Sequence, residues 1–87
     1  MGLEGVVIGR LAPGGAGERA GLRATRQRPG GRLELGDVIV KVDGERVEMV
    51  DDLLTILDRH QVGEPVTMEY LREGRRQQVT VTLQAVQ

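Results

Sequence analysis

Few side chains in this sequence could take part in bond-making chemistry, and none has the partners it would need. His60 is the single histidine, and the chain contains neither Ser nor Cys. A Ser-His-Asp arrangement lacks its nucleophile, and a Cys-His pair or thiolate metal site lacks its sulfur. A lone histidine acting as general base or metal ligand needs neighbours that the sequence does not supply. His60 lies at the end of an apolar-periodic segment, where a cation favours the negative pole of a helix. Asp51/Asp52 and Glu69/Glu73 are carboxylate groupings that could be drawn as a metal or acid/base site. Adjacent helical positions point about 100° apart, and Glu69 and Glu73 fall in a strand and a turn, so nothing brings either pair together. The residues predict no catalytic residue, no metal and no cofactor.

The one local charge cluster is Arg23, Arg26, Arg28 and Arg32, with no acidic residue between its ends. It reads either as a solvated loop or as a docking contact to an acidic surface of another domain or subunit. Nucleic acid is a poor fit: net charge is −1 and Tyr70 is the only aromatic residue, so both a basic stripe and a stacking platform are missing. No apolar run approaches the ~20 residues that span a bilayer. The opening segment has neither the basic flank nor the small-residue cleavage site of a signal peptide. With 87 residues, the chain predicts one domain with one modest core.

Several elements must position these residues. Gly5-Val6-Val7-Ile8-Gly9-Arg10-Leu11 is a short β-branched run bounded by glycines, which predicts a buried strand. Ala12-Pro13-Gly14-Gly15 breaks it, and Ala16 to Leu22 predicts a short helix stopped at Gly21. The stretch from Arg23 to Glu34 has no apolar periodicity and contains Pro29-Gly30-Gly31, so it predicts a mobile loop that buries little. Val38 to Val42 predicts a strand with Val38, Val40 and Val42 on one face. Asp43-Gly44 is a tight-turn signal, and Glu45-Arg46-Val47 returns. Val50 to about His60 is the one longer helix, with Asp51 and Asp52 in its first turn. Val66–Leu71 and Gln78–Leu83 alternate as strands around an Arg72–Arg75 hairpin. The layout is α+β, a small antiparallel sheet closed by one short and one longer helix.

Three segments together carry a family resemblance. Pro13-Gly14-Gly15-Ala16-Gly17-Glu18-Arg19-Ala20-Gly21-Leu22 resembles the proline-glycine, small-residue, Ala-Gly-Leu helix of PDZ domains. Leu35-Gly36-Asp37-Val38-Ile39-Val40-Lys41-Val42-Asp43-Gly44 is similar to their Gly-Asp-apolar strand and its turn. Val50-Asp51-Asp52-Leu53-Leu54 resembles the start of their long helix. The Arg23–Arg32 stretch followed by Leu33-Glu34-Leu35-Gly36-Asp37 is similar to the extended loop of HtrA/Deg-type serine proteases. The resemblance runs from about Gly5 to Leu83. It implies a PDZ-like, partly open barrel and a non-catalytic module. In its parent protease such a module recognises substrate C-termini or exposed apolar segments by β-strand addition. It also implies partners among peptides, unfolded protein segments and the parent's protease domain. For that parent it implies a periplasmic, cell-envelope or organelle-lumen location.

One departure is expected. The carboxylate-binding loop and groove strand of the family precede the segment matched by Gly5–Leu11, and only Met1 to Glu4 precede it here. Gly2-Leu3-Glu4-Gly5 has a superficial likeness to that loop, but no spare strand follows it. Residues 1–4 therefore read as a remnant, and the alternative function is a structural, regulatory or self-associating domain with an incomplete groove.

The long helix bears on this choice. At about 100° per residue, Leu53, Ile56 and His60 cluster on one side of its apolar stripe and Val50, Leu54 and Leu57 on the other. The stripe is about 160° wide, broader than one docked face needs. It is either one generous core face or a core face (Leu53, Ile56) beside a groove lined by Val50, Leu54 and Leu57. The resemblance favours the second arrangement.

Overall fold

The computed structural model describes residues 5–84; the remnant expected at Met1–Glu4 lies outside the described residues. In chain order the elements are β1 (Val6–Val7), α1 (Ala16–Arg19), β2 (Arg26–Gln27), β3 (Leu33–Glu34), β4 (Val38–Val42), β5 (Glu45–Arg46), α2 (Val50–Asp58), β6 (Pro65–Arg72) and β7 (Arg75–Thr82). The main sheet is antiparallel in the order β1-β4-β6-β7, and β5 pairs with the end of β4.

Strict alternation in β6 turns Val66, Met68 and Tyr70 inward, where they meet Ile39, Val42, Val47, Ile56 and Val81 in one buried cluster. Leu53 and Leu57 of α2 and Val6 of β1 pack against the same cluster. Two-residue turns close both hairpins. Asp43-Gly44 (φ 49° and 81°) and Glu73-Gly74 (φ 53° and 77°) hold positive φ at both central positions, the twist that suits a tight antiparallel turn.

Helix α2 starts where Asp52 reaches back: its Oδ2 accepts the Glu48 and Met49 amides at 3.0 and 3.3 Å. Two orphan N–H groups just ahead of the helix are thereby satisfied. The helix ends at Asp58, short of the expected His60, with Arg59 as C-cap.

Two expectations are corrected. Val38, Val40 and Val42 do not share a face, because a bulge between Ile39 and Lys41 breaks the period. Ile39 and Val42 both reach the core, and Val38 is buried beside Leu35 and Leu71 in a hollow of about 350 Å³. The stretch 23–34 is also not irregular: β2 and β3 pair as Arg26↔Glu34 and Gln27↔Leu33. Gly30 and Gly31 (φ 89° and 81°) turn the chain between them. Both faces of this ribbon are exposed, so pairing there needs no apolar alternation.

Candidate functional site

The segment Leu35-Gly36-Asp37 locks the ribbon to the sheet, and each residue type has a separate reason. A Cβ on Gly36 would stand 2.6 Å from the Arg23 and Ile8 carbonyl oxygens and from the Ala24 carbonyl carbon. Backbone surrounds the position, so only glycine fits without movement. Thr25 bridges the same point, its hydroxyl donating to the Ile8 carbonyl at 3.0 Å and accepting the Gly36 amide at 2.9 Å.

Asp37 is buried, with 2% of its side chain exposed, and faces Arg72, 20% exposed, at the end of β6. Arg72 donates Nε to Oδ1 at 2.9 Å and Nη2 to Oδ2 at 2.8 Å, and the Arg23 amide donates to Oδ2 at 2.9 Å. Nη2 also donates to the Gly21 carbonyl at 2.9 Å, and the guanidinium lies 5.2 Å from the Tyr70 ring centroid. Burial pushes the Asp37 carboxyl up, but the Arg72 hydrogen bonds and the Arg23 amide outweigh it and hold it below the ordinary value. This clamp joins the end of α1, the base of the ribbon, β4 and β6. Asp37 and Arg72 are separated by 35 positions, so no local pattern pairs them.

The expected groove residues fall into two environments. Val50 and Leu54 are 54% and 55% exposed, while Leu57, with Leu53, packs partly against the core around buried Ile56. Helix α2 thus presents an uncovered apolar strip. Strand β1 forms one edge of the sheet, and among the described residues no strand lies along its outer side.

The four arginines divide likewise. Arg23 uses its backbone in the clamp, its carbonyl accepting the Asp37 amide at 2.9 Å. Arg28 is held by Glu34, Nη2 to Oε2 at 2.8 Å and Nε to Oε2 at 3.1 Å. Arg26 and Arg32 remain exposed on the ribbon. Beside them stand Leu33 and Leu35, 70% and 60% exposed, which the arginine pattern did not single out.

His60 ties the end of α2 to the β4–β5 turn. Its Nδ1 meets the Ile56 carbonyl at 2.9 Å and its Nε2 the Asp43 carboxylate at 2.9 Å, with Glu64 at 3.5 Å. The Ile56 carbonyl first, then Asp43, raises the imidazole above its ordinary value. The Thr67 amide and then His60 lower Asp43. The carboxylates form no shared site among the described residues: Asp52 caps α2, and Glu69 accepts the Gln78 side-chain Nε2 at 3.1 Å with Arg76 at 3.6 Å.

An antiparallel sheet closed by a short and a longer helix, with a glycine-aspartate clamp before its central strand, defines a PDZ domain. The chain belongs to that family, whose sequence pattern matches residues 4–83. It is a PDZ domain of the kind carried by HtrA/Deg-type serine proteases. It is 40% identical over 84 residues to Protease Do-like 1, chloroplastic, of Arabidopsis thaliana, covering 97% of this chain and 19% of that protein. It is 34% identical to a probable periplasmic serine endoprotease DegP-like of Halomonas elongata, covering 92% of this chain and 15% of that protein. It is also 34% identical to the zinc metalloprotease RasP of Geobacillus kaustophilus, covering 91% of this chain and 16% of that protein. The chain therefore spans under a fifth of the length of these relatives. A solution structure of a Geobacillus thermodenitrificans protein shares the fold, with TM-score 0.66 at 22% identity, covering 95% of this chain and 82% of that one.

Proposed function

We propose that this domain is a non-catalytic recognition module of an HtrA/Deg-type protease, binding apolar C-terminal or unfolded segments along α2. The observation that supports this most is the exposure of Val50 and Leu54 on a helix whose other apolar residues pack inward. Apolar side chains left uncovered in a row on an otherwise docked helix mark an interaction surface. Leu57 forms the floor of the strip. An extended segment laid beside β1 supplies main-chain hydrogen bonds, and Val50 and Leu54 select its side chains.

The compartment proposed for the parent is that of the relatives, periplasm or plastid. The test is titration of the labelled domain with C-terminal peptides of varied apolar character, each with a free and an amidated terminus. Saturable shifts confined to α2 and β1, abolished by Leu54→Glu, are expected. Peptide-induced shifts that avoid α2, or no shifts at any peptide concentration, refute the reading.

A further inference from the structure

Two surfaces among the described residues combine uncovered apolar side chains with charges of opposite sign. The first is the β2–β3 ribbon. Pairing of Gln27 with Leu33 puts Leu33 on one face, and Leu35, just past the end of β3, is exposed at the base of the ribbon. The other face carries Arg26, Arg28, Arg32 and Glu34. Arg28 and Glu34 neutralise each other. No hydrogen bond or ion pair joins the Arg26 or Arg32 side chain to another described residue.

The second surface is α2. Asp51 and Asp58 stand three and four positions from Leu54 and so border the Val50–Leu54 strip. Both are exposed, and neither side chain has a partner among the described residues. The ribbon is anchored at Asp37, just before β4, whereas the last turn of α2 is anchored through His60 at Asp43, just after β4. These anchors lie at opposite ends of one strand, so the ribbon does not cover the helix of its own chain.

We infer that the ribbon of one copy docks on α2 of a second copy. Leu33 and Leu35 lie against Val50 and Leu54, and Arg26 and Arg32 reach round the narrow ribbon to Asp51 and Asp58. Apolar strip meets apolar strip and two cations meet two anions. The net charge of −1 sets up no general repulsion between copies. The contact joins different surfaces of the two copies, so each copy both gives and receives a ribbon and the assembly is head-to-tail. It goes beyond peptide binding but shares the same helix face, so a bound peptide and a neighbour's ribbon exclude each other.

The test is sedimentation velocity of the purified chain from about 20 µM to about 1 mM, the range of weak, small interfaces. It is run at about 0.01 M and about 1 M salt, where the Debye length falls from ~30 to ~3 Å. Average mass should rise with concentration at low salt, and association should weaken at least tenfold at high salt. Leu33→Glu and Leu54→Glu, both at exposed positions and checked for folding by circular dichroism, should each be monomeric. Mixed one to one, they should form a dimer that grows no further, because one keeps its helix face and the other its ribbon. A wild-type chain that stays monomeric at low salt, or a mixture that fails to pair, overturns the inference. Peptide titration of the Leu33→Glu monomer separates the two readings, because its groove face is intact and no ribbon competes for it.

Discussion

Removing Asp37 should cost more than removing any other charged side chain of this domain. Asp37→Ala strips three hydrogen bonds, two from the Arg72 guanidinium and one from the Arg23 amide. It leaves a cation facing an apolar interior. Breaking a buried ion pair from one side costs about 3–5 kcal/mol. Arg72 is 20% exposed and keeps its bond to the Gly21 carbonyl, so partial rehydration lowers the expected loss to about 2–4 kcal/mol. A domain of this size holds roughly 4–13 kcal/mol in all, so the loss is a large fraction of its stability. Urea unfolding measures it: with a slope near 1 kcal/mol per molar, the midpoint should fall by about 2 M or more. The cycle with Arg72→Met should be strongly non-additive, because the second removal deletes the stranded cation. A loss below about 1 kcal/mol for Asp37→Ala, or additive single effects, would refute the clamp.

The same pair predicts an acid limb. The folded carboxyl lies below its ordinary value of 3.8, so its contribution is complete above that pH and fades as pH falls through the folded value. Wild type should therefore lose its advantage over Asp37→Asn only below about pH 4.

Other outcomes follow from the same geometry. Leu53→Glu should cost about 2–4 kcal/mol because it drives a charge against the core. Leu54→Glu should cost under about 1 kcal/mol, part of it repulsion from Asp51 and Asp58; equal losses in urea would make the whole stripe core. His60 has a raised folded value relative to 6.5, so its contribution is complete below that pH and is lost as pH rises through the folded value. Stability measured from pH 6 to 9 should fall for wild type and stay flatter for His60→Gln; parallel curves would remove the imidazolium latch. Gly36→Ala should cost about 2–3 kcal/mol, since the backbone at Arg23–Ala24 and at Ile8 must retreat; a neutral result by thermal unfolding would contradict the close approach. Arg28→Ala should cost at most about 1 kcal/mol, because its pair with Glu34 is half exposed on both sides; a loss of ~2 kcal/mol or more would mean the ribbon is packed.

The elements legible in the sequence are those whose burial is one-sided and local. Strands β6 and β7 and helix α2 each pack one face, so apolar period alone locates them. The face of β4 was misread because the bulge at Ile39–Lys41 is set by its pairing with β6, which lies far along the chain. The ribbon escaped notice for a different reason. A two-residue pair with both faces in water carries no burial pattern, and its order comes from Glu34, Thr25 and Asp37 rather than from any period.

The helix α2 shows where pattern reading stops. Periodicity gave the width of the apolar stripe, but only the packing around Ile56 separates the covered part at Leu53 and Leu57 from the open part at Val50 and Leu54. Leu33 and Leu35 make the same point from the other side. In an arginine-rich segment Leu33 looks incidental until strand pairing puts it on the face away from the Arg28–Glu34 pair, and Leu35 stays exposed just beyond it. Both candidate surfaces therefore consist of apolar residues whose local pattern is compatible with burial and whose exposure is decided by distant parts of the chain. On the proposed function, recognition would rest on these exposed residues, and a substitution there should alter association while leaving the core intact.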